Sequence, residues 1–317
     1  MSRFKLERVN EIILNPIPEH PWESGAVFNP GTIRIDDEIH MLYRAVEGDN
    51  ISTIGYARLD RHAHILSRGG QPVIIREWAE EKQGCEDPRI VIFEDRILIF
   101  YTGFDGANMK EGKNARVILA ETENFTGFKK LGVIGPDWQD KDAMIFPEKI
   151  DRKVAYLHRI EPNIQLAFFD HIDHLIDPGA DYWTEHMKSV TDHTLLSRTY
   201  DWEAVKIGAG PPPIRTKAGW LLIYHGVDRD KVYRTGAALL DEKNPFKVLA
   251  RLPYPVLEPE RDYEKYGDVN MVVFPEGMVQ FDDELLIYYG AADKVIGLAK
   301  CSLSKLIDSL WQNRLKV

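Results

Sequence analysis

Across 317 residues there are only two cysteines, Cys85 and Cys301. Two cannot build a disulfide framework, and they lack metal-ligand spacing, so neither a disulfide-stapled scaffold nor a zinc module is indicated. Cys85 reads as a small buried thiol. No apolar run approaches the roughly 20 residues needed to cross a bilayer. The opening Met-Ser-Arg-Phe-Lys-Leu-Glu carries no apolar h-region of a secretory leader. Positive charge is also scarce: 40 Lys and Arg stand against 50 Asp and Glu, a net charge of −10. Nucleic acid and acidic membrane surfaces both select a cationic face, so neither is an expected partner. These absences together point to the reducing cytoplasm.

What the chain does have is a repeat. FNPGTIRIDDEIHMLYRA, EDPRIVIFEDRILIFYTG, IFPEKIDRKVAYLHRI, GPPPIRTKAGWLLIYHGV and VFPEGMVQFDDELLIYYG each open on proline and close an apolar run on Tyr or His. The prolines stand at 30, 88, 147, 212 and 275, roughly 60 residues apart. Turn residues split each copy into two strands: Asp36-Asp37, Glu94-Asp95, Asp151-Arg152, Lys217-Ala218-Gly219 and Asp282-Asp283. A third β segment follows in each (TIGYARLD, ARVILAETE, NIQLAFFD, YRTGAALLD, VIGLAKCSL), and a less regular outer one such as QPVIIR completes it. The expected fold is all-β: a single five-bladed β-propeller domain over 1–317, with a short C-terminal helix at 302–317. That helix follows a Ser302 or Ser304 cap, with Leu303, Leu306, Ile307, Leu310 and Trp311 at helical spacing. It is expected to pack on the outside of the fold, with a homo-oligomer contact as the alternative.

Polar connections at 105–114, 177–194 and 259–269 are candidates for binding loops. Their Tyr182, Trp183, Tyr263 and Tyr266 suit either stacking on sugar faces or capping of blade ends. Blades begin near the central axis, so the repeat starts and strand ends should face one funnel. They supply Asn29, Glu86-Asp87, Phe146 with Glu148, the GAGPPP stretch, Phe274 with Glu276, then Arg44, Tyr101, His158-Arg159, Tyr224-His225 and Tyr288-Tyr289. A carboxylate among cations and aromatic rings suits a sugar and an anion. His171 and His174 in DHIDH have metal-like ligand types but no further cluster, and His62 and His64 read as an exposed turn. GAGPPP is no nucleotide loop, because proline removes the N–H donors a phosphate cradle needs.

GCEDPRI, DKDAMIFPEKI, YLHR, KIGAGPPPI, GWLLIYHGV and YYGAADKVIGLA, in this order, resemble glycoside hydrolase family 130 from about Trp22 to Ala299. The resemblance implies a five-bladed propeller and an inverting β-mannoside phosphorylase giving α-mannose 1-phosphate and a shortened acceptor. It implies that Asp87 is the general acid, acting through the 3-hydroxyl of the −1 mannosyl unit. By the same resemblance Lys141, Arg159, Lys206 and His225 bind phosphate, and Asn29, Arg44, Tyr288 and Asp293 bind the sugar. Inorganic phosphate is then a co-substrate, and no cofactor or metal is implied.

The chemistry fits this inventory. An inverting hydrolase needs a second carboxylate to activate water, whereas phosphate is already an anionic nucleophile. The expected funnel therefore holds one carboxylate and a cation cluster without compensating carboxylates. Lys141 departs from the Arg of several family members and leans the reading toward β-1,2-linked mannosides. The alternatives are a β-1,4-mannooligosaccharide or mannosylglucose phosphorylase, an inverting β-mannosidase with Glu86, Glu148 or Glu276 as base, and a non-catalytic sugar-binding propeller. Furanoside-cleaving five-bladed glycosidases would need three carboxylates.

Overall fold

The computed structural model describes residues 3–48, 50–106 and 114–315. A short strand, β1 (Glu7–Arg8), precedes five antiparallel meanders that follow the sequence repeat. The first holds β2 (Ala26–Ile35), β3 (Glu38–Val46), β4 (Ser52–Asp60) and β5 (Ile65–Arg68). The second holds β6 (Gly84–Phe93), β7 (Arg96–Phe104), β8 (Ala115–Thr122) and β9 (Lys129–Ile134). The third holds β10 (Lys141–Ile145), β11 (Val154–Arg159), β12 (Ile164–Phe169) and β13 (Thr194–Leu196). The fourth holds β14 (Lys206–Ala209), β15 (Ile214–Thr216), β16 (Gly219–Val227), β17 (Tyr233–Leu240) and β18 (Val248–Arg251). The fifth holds β19 (Val273–Phe281), β20 (Glu284–Ala291) and β21 (Val295–Ser302), and β1 pairs with β21 as its outer strand. Tight hairpins join the strands. Glu94-Asp95 and Asp151-Arg152 each place two residues at φ of 47° and 64°, the type I′ geometry whose twist matches that of the strands.

Apolar residues alternate along these strands and fill the spaces between successive meanders. In β16, Trp220, Leu222 and Tyr224 enter the core shared with the second and third meanders, while Leu221 and Ile223 pack against the fifth. Leu42, Ile54, Ile90 and Ile99 join the first meander to the second. Met41, Ala57, Val279 and Leu286 join the fifth to the first. Helix α3 (Leu303–Gln312), capped by the Ser302 hydroxyl on the Lys305 N–H, buries Leu306 and Leu310 against the fourth and fifth meanders.

Three expectations shift. QPVIIR is not the outer strand: β5 takes that place, and only Ile74 bridges to Ile54, since Pro72 has no N–H to give a ladder. The proline column also slips in the third repeat. Lys141 pairs with Arg159 as Glu86 pairs with Thr102, so Ala143 stands where Pro88 does and Pro147 lies beyond β10. Phe146 is accordingly a core residue, not a funnel residue. The connection 177–194 contains a helix, α1 (Tyr182–Lys188), whose Tyr182 and Trp183 pack on the core. The shorter helix α2 (Asp262–Lys265) holds Tyr263 against Tyr289, leaving Tyr266 exposed. Of the connection 105–114, positions 107–113 lie outside the described residues.

Candidate active site

The first strands of four repeats carry a β-bulge, and the bulges aim the polar residues. Register shifts fall between Phe28 and Pro30, Glu86 and Arg89, Lys141 and Met144, and Pro275 and Gly277. Asn29, Asp87 and Asp142 stand at φ of 48°, 54° and 53°, a left-handed turn that Asn and Asp tolerate best among residues with a Cβ. These three side chains, with Glu276 from the fifth repeat, are buried together at the base of a cavity of about 340 Å³ or just beneath it. Asn29 Nδ2 donates to Asp87 Oδ1 at 2.9 Å.

The cavity wall draws Arg44, Lys141, Arg159 and Lys206 together, and also Glu86, Asp87, Asp142, Glu161 and Asp293. Each cation has an acidic partner, so the uncompensated cluster expected from sequence is not what forms. Glu86 accepts from Arg44 Nη2 at 2.7 Å and from Lys141 Nζ at 2.8 Å. Asp142 pairs with Arg159 at 2.8 Å, and Glu161 accepts from Lys206 at 2.7 Å. Phe104, Tyr233 and Phe274 add apolar faces.

These contacts set the protonation states. Burial would raise Asp87, but Arg44, Lys141 and the Asn29 amide outweigh it and hold the carboxyl below its usual range. Burial lifts Asp293 to about 7, against the pull of Arg44. Burial and the neighbouring Arg159 lower Lys206 despite its bond to Glu161. Burial also lowers His225 to about 3, opposed by Asp142 and reinforced by Arg159.

His225 is therefore a neutral imidazole behind the wall, with Arg159 Nη1 at 3.3 Å from its Nε2, and not a further cation facing the cavity. Tyr288 is not brought to the cavity. Strand alternation turns it into the apolar seam between the fifth and first repeats, beside Val279 and Leu298. Glu148 sits on the surface, bonded to Arg215 at 3.1 Å. Glu276 is fully buried, its oxygens accept no hydrogen bond among the described residues, and burial pushes its carboxyl well up.

Arg89 was missed. Its guanidinium lies under the cavity and donates to Asp142 Oδ1 at 3.1 Å and to the Asp87, Gly210 and Ala209 carbonyls at 3.1, 3.0 and 3.2 Å. It also approaches Glu276 at 3.6 Å, so one side chain ties four repeats together. The signal was present in EDPR, an arginine two residues past the bulge and otherwise within an apolar strand.

A bulged acid beside paired arginines and lysines, over a floor shared by all repeats, makes this cavity the candidate active site. Residues 2–312 match glycoside hydrolase family 130, described as β-1,4-mannooligosaccharide phosphorylase, and the chain belongs to this family. It is 39% identical over 304 residues to a 1,2-β-oligomannan phosphorylase of Thermoanaerobacter sp. (strain X514), covering 93% of this chain and 97% of that one. A β-1,2-mannobiose phosphorylase of the same strain is 38% identical over 317 residues, covering 96% and 99%. Among solved structures, β-1,2-mannobiose phosphorylase from Listeria innocua in complex with β-1,2-mannobiose superposes with a TM-score of 0.80 at 26% identity, covering 96% and 99%.

Proposed function

We propose that this chain is an inverting phosphorylase of β-1,2-linked mannosides, using inorganic phosphate to release α-mannose 1-phosphate and a shortened acceptor. The carrying observation is that one cavity unites the bulged Asp87 with Lys141, Arg159 and Lys206. In this reading Asp87 donates the proton, by way of a sugar hydroxyl. Arg159, Lys206 and Lys141 hold phosphate, with neutral His225 as a hydrogen-bond partner behind them. Asn29, Arg44 and Asp293 bind the mannosyl unit. Phosphate would add a second anionic partner for Lys206, whose charged form burial and Arg159 disfavour despite Glu161. Similarity to two β-1,2 enzymes at 38–39% identity supports the linkage.

The five meanders are read as blades of one closed propeller over 1–317. In support, β2 touches both β19 and β6, β10 touches β6 and β14, and β16 touches β19, which completes a circuit. No described helix is long and apolar enough to cross a membrane. A cytoplasmic enzyme without metal or organic cofactor fits this reading, with the exposed Trp311 of α3 available for contact between copies.

Hydrolysis would need a base. Glu86 is locked between two cations, Glu148 is remote and Glu276 is sealed beneath the floor, which leaves Asp293 as the cavity carboxyl held up near neutrality. Incubation of a β-1,2-mannobiose with and without phosphate separates the two. The expected product is α-mannose 1-phosphate, formed only with phosphate, and Arg159→Ala should raise the phosphate KM ~tenfold or more. Equal release of free mannose in phosphate-free buffer would replace the phosphorylase with the hydrolase.

A further inference from the structure

A buried carboxylate–tyrosine–cation triad recurs in four repeats. Glu23 accepts from Tyr43 and Arg68, and Glu81 from Tyr101 and Lys130. Glu203 accepts from Tyr224 and Arg251, and Glu264 from Tyr289 and Arg8. Each glutamate comes from a short helical turn ahead of its repeat, each tyrosine from a central strand, and each cation from the outer strand. All four glutamates are fully buried. The triads fasten the turn, the middle and the edge of a meander to one another.

The third repeat breaks the pattern. His158 occupies the tyrosine column, directly before Arg159, as Tyr43 precedes Arg44 and Tyr224 precedes His225. Its carboxylate is Asp140, which adjoins Lys141. His158 Nδ1 lies 3.1 Å from Asp140 Oδ2, while Asp140 Oδ1 accepts the Arg159 backbone N–H at 3.0 Å. In place of an outer-strand cation stands His186 of α1, with its Nε2 at 3.2 Å from His158 Nε2. His193 stacks behind His186 at 4.1 Å, and Tyr156 and Trp183 flank His158.

The hydrogen bonds orient the rings. His158 turns Nδ1 to Asp140 Oδ2, and of the facing Nε2 atoms of His158 and His186 one donates and the other accepts. Helix α1 thereby locks the imidazole, the imidazole locks Asp140, and Asp140 holds the main chain of Arg159 next to its own neighbour Lys141. In the other repeats the triad carboxylate bonds the tyrosine hydroxyl of the central strand and, among the described residues, accepts from no cavity residue. Here it is bonded to one cavity cation and covalently adjacent to another.

We propose that His158, held by His186, is a positioning residue for the anion-binding wall, acting through Asp140 on Arg159 and Lys141. This rests on the reading of those two cations as phosphate ligands. Two substitutions divide the role: H158N keeps a short N–H donor for Asp140 and gives up His186, whereas H158Q reaches His186 and deserts Asp140. Initial rates over phosphate and mannobiose concentrations, with melting temperatures, are measured for both, for H186A and H186Q, and for R159A as control. H158Q should raise the phosphate KM ~tenfold, with the mannobiose KM and the rate at saturating phosphate changed by no more than about twofold. H158N should recover most of that KM, and H186Q should recover what H186A loses.

If R159A raises the phosphate KM and H158Q does not, the positioning role is overturned and the phosphorylase reading stands. If R159A leaves phosphate KM unchanged, both fall. Losses in kcat and both KM values that merely track the melting temperature, with no rescue by H158N or H186Q, assign His158 to packing alone and overturn the proposal.

Discussion

At the scale of single residues, the central difficulty for Asp87 as the proposed acid is that its site keeps it ionised. Arg44 and Lys141 hold it low against the effect of burial. A phosphate dianion bound among Lys141, Arg159 and Lys206 opposes those charges and should raise the acid's affinity for its proton. The alkaline limb of kcat, which reports the ternary complex, is therefore expected at higher pH than that of kcat/KM for mannoside at low phosphate. Coincident limbs would show that phosphate does not tune Asp87. Asp87→Asn should abolish turnover with little change in melting temperature, because asparagine also accepts a φ of 54°. Asp293 carries a separate, thermodynamic consequence. Its folded value near 7 lies above the ordinary 3.8, so its contribution to stability is complete below about pH 4 and is lost as pH rises toward 7. The loss is at most about 4 kcal/mol. Asp293→Asn should then gain stability over the native protein progressively from pH 4 to 7 and hold that gain above it, as thermal melts across this range will register. A constant difference at every pH would remove the buried acid from the account.

At the scale of elements, the strands and their tight turns were legible because alternation and turn residues are local signals. The bulges were only half legible. Asn29-Pro30 and Asp87-Pro88 announce themselves, but Asp142-Ala143 performs the same turn without proline, and the more conspicuous Pro147 drew the repeat boundary to the wrong place. Lys141, Arg159 and Lys206 were named by resemblance, while Lys141–Glu86 and Lys206–Glu161 pair between repeats and Arg159–Asp142 pairs across two strands of the third, contacts that sequence order does not reveal. Tyr288 failed because two adjacent tyrosines on one strand face opposite sides, and here neither faces the cavity: Tyr289 turns to Glu264. Arg89 was overlooked for a related reason: EDPR shows an arginine in an apolar strand, but most of its partners lie on three other repeats. Its role is testable. Lysine cannot reproduce a planar fork that serves four acceptors, so Arg89→Lys should cost about 3–5 kcal/mol of stability by leaving buried groups unpaired. It should also lower kcat, because the Asp87 main chain and Asp142 lose a common anchor. Denaturant unfolding together with saturating rates checks both, and native values for the two would dismiss the hub.

At the scale of the whole molecule, each meander is joined covalently to the next, and the fifth meets the first through non-covalent contacts. Strand β1, from the beginning of the chain, completes the fifth meander by pairing Glu7 with Lys300 and Arg8 with Ala299. Two paired residues form a weak ladder, and the side chain of Arg8 supplies what the backbone cannot. Its Nε donates to Glu264 Oε1 at 2.7 Å and its Nη1 to Glu260 Oε2 at 3.0 Å. Glu264 is fully buried; burial would raise it, but Arg8 and the Arg261 and Glu260 N–H groups keep it below its usual range. Stability from a depressed carboxyl is present above its unfolded value and is lost as pH falls through the folded one. Removing Arg8 strands that charge, so Arg8→Ala should destabilise by about 3–5 kcal/mol and move the acid-unfolding midpoint to higher pH. Adding Glu264→Gln to Arg8→Ala should restore part of the loss, since a neutral amide no longer needs the cation, and the cycle should show clear coupling. Additive effects, or an Arg8→Ala protein that melts and acid-unfolds like the native one, would mean that β1 lies on the fifth meander without fastening it.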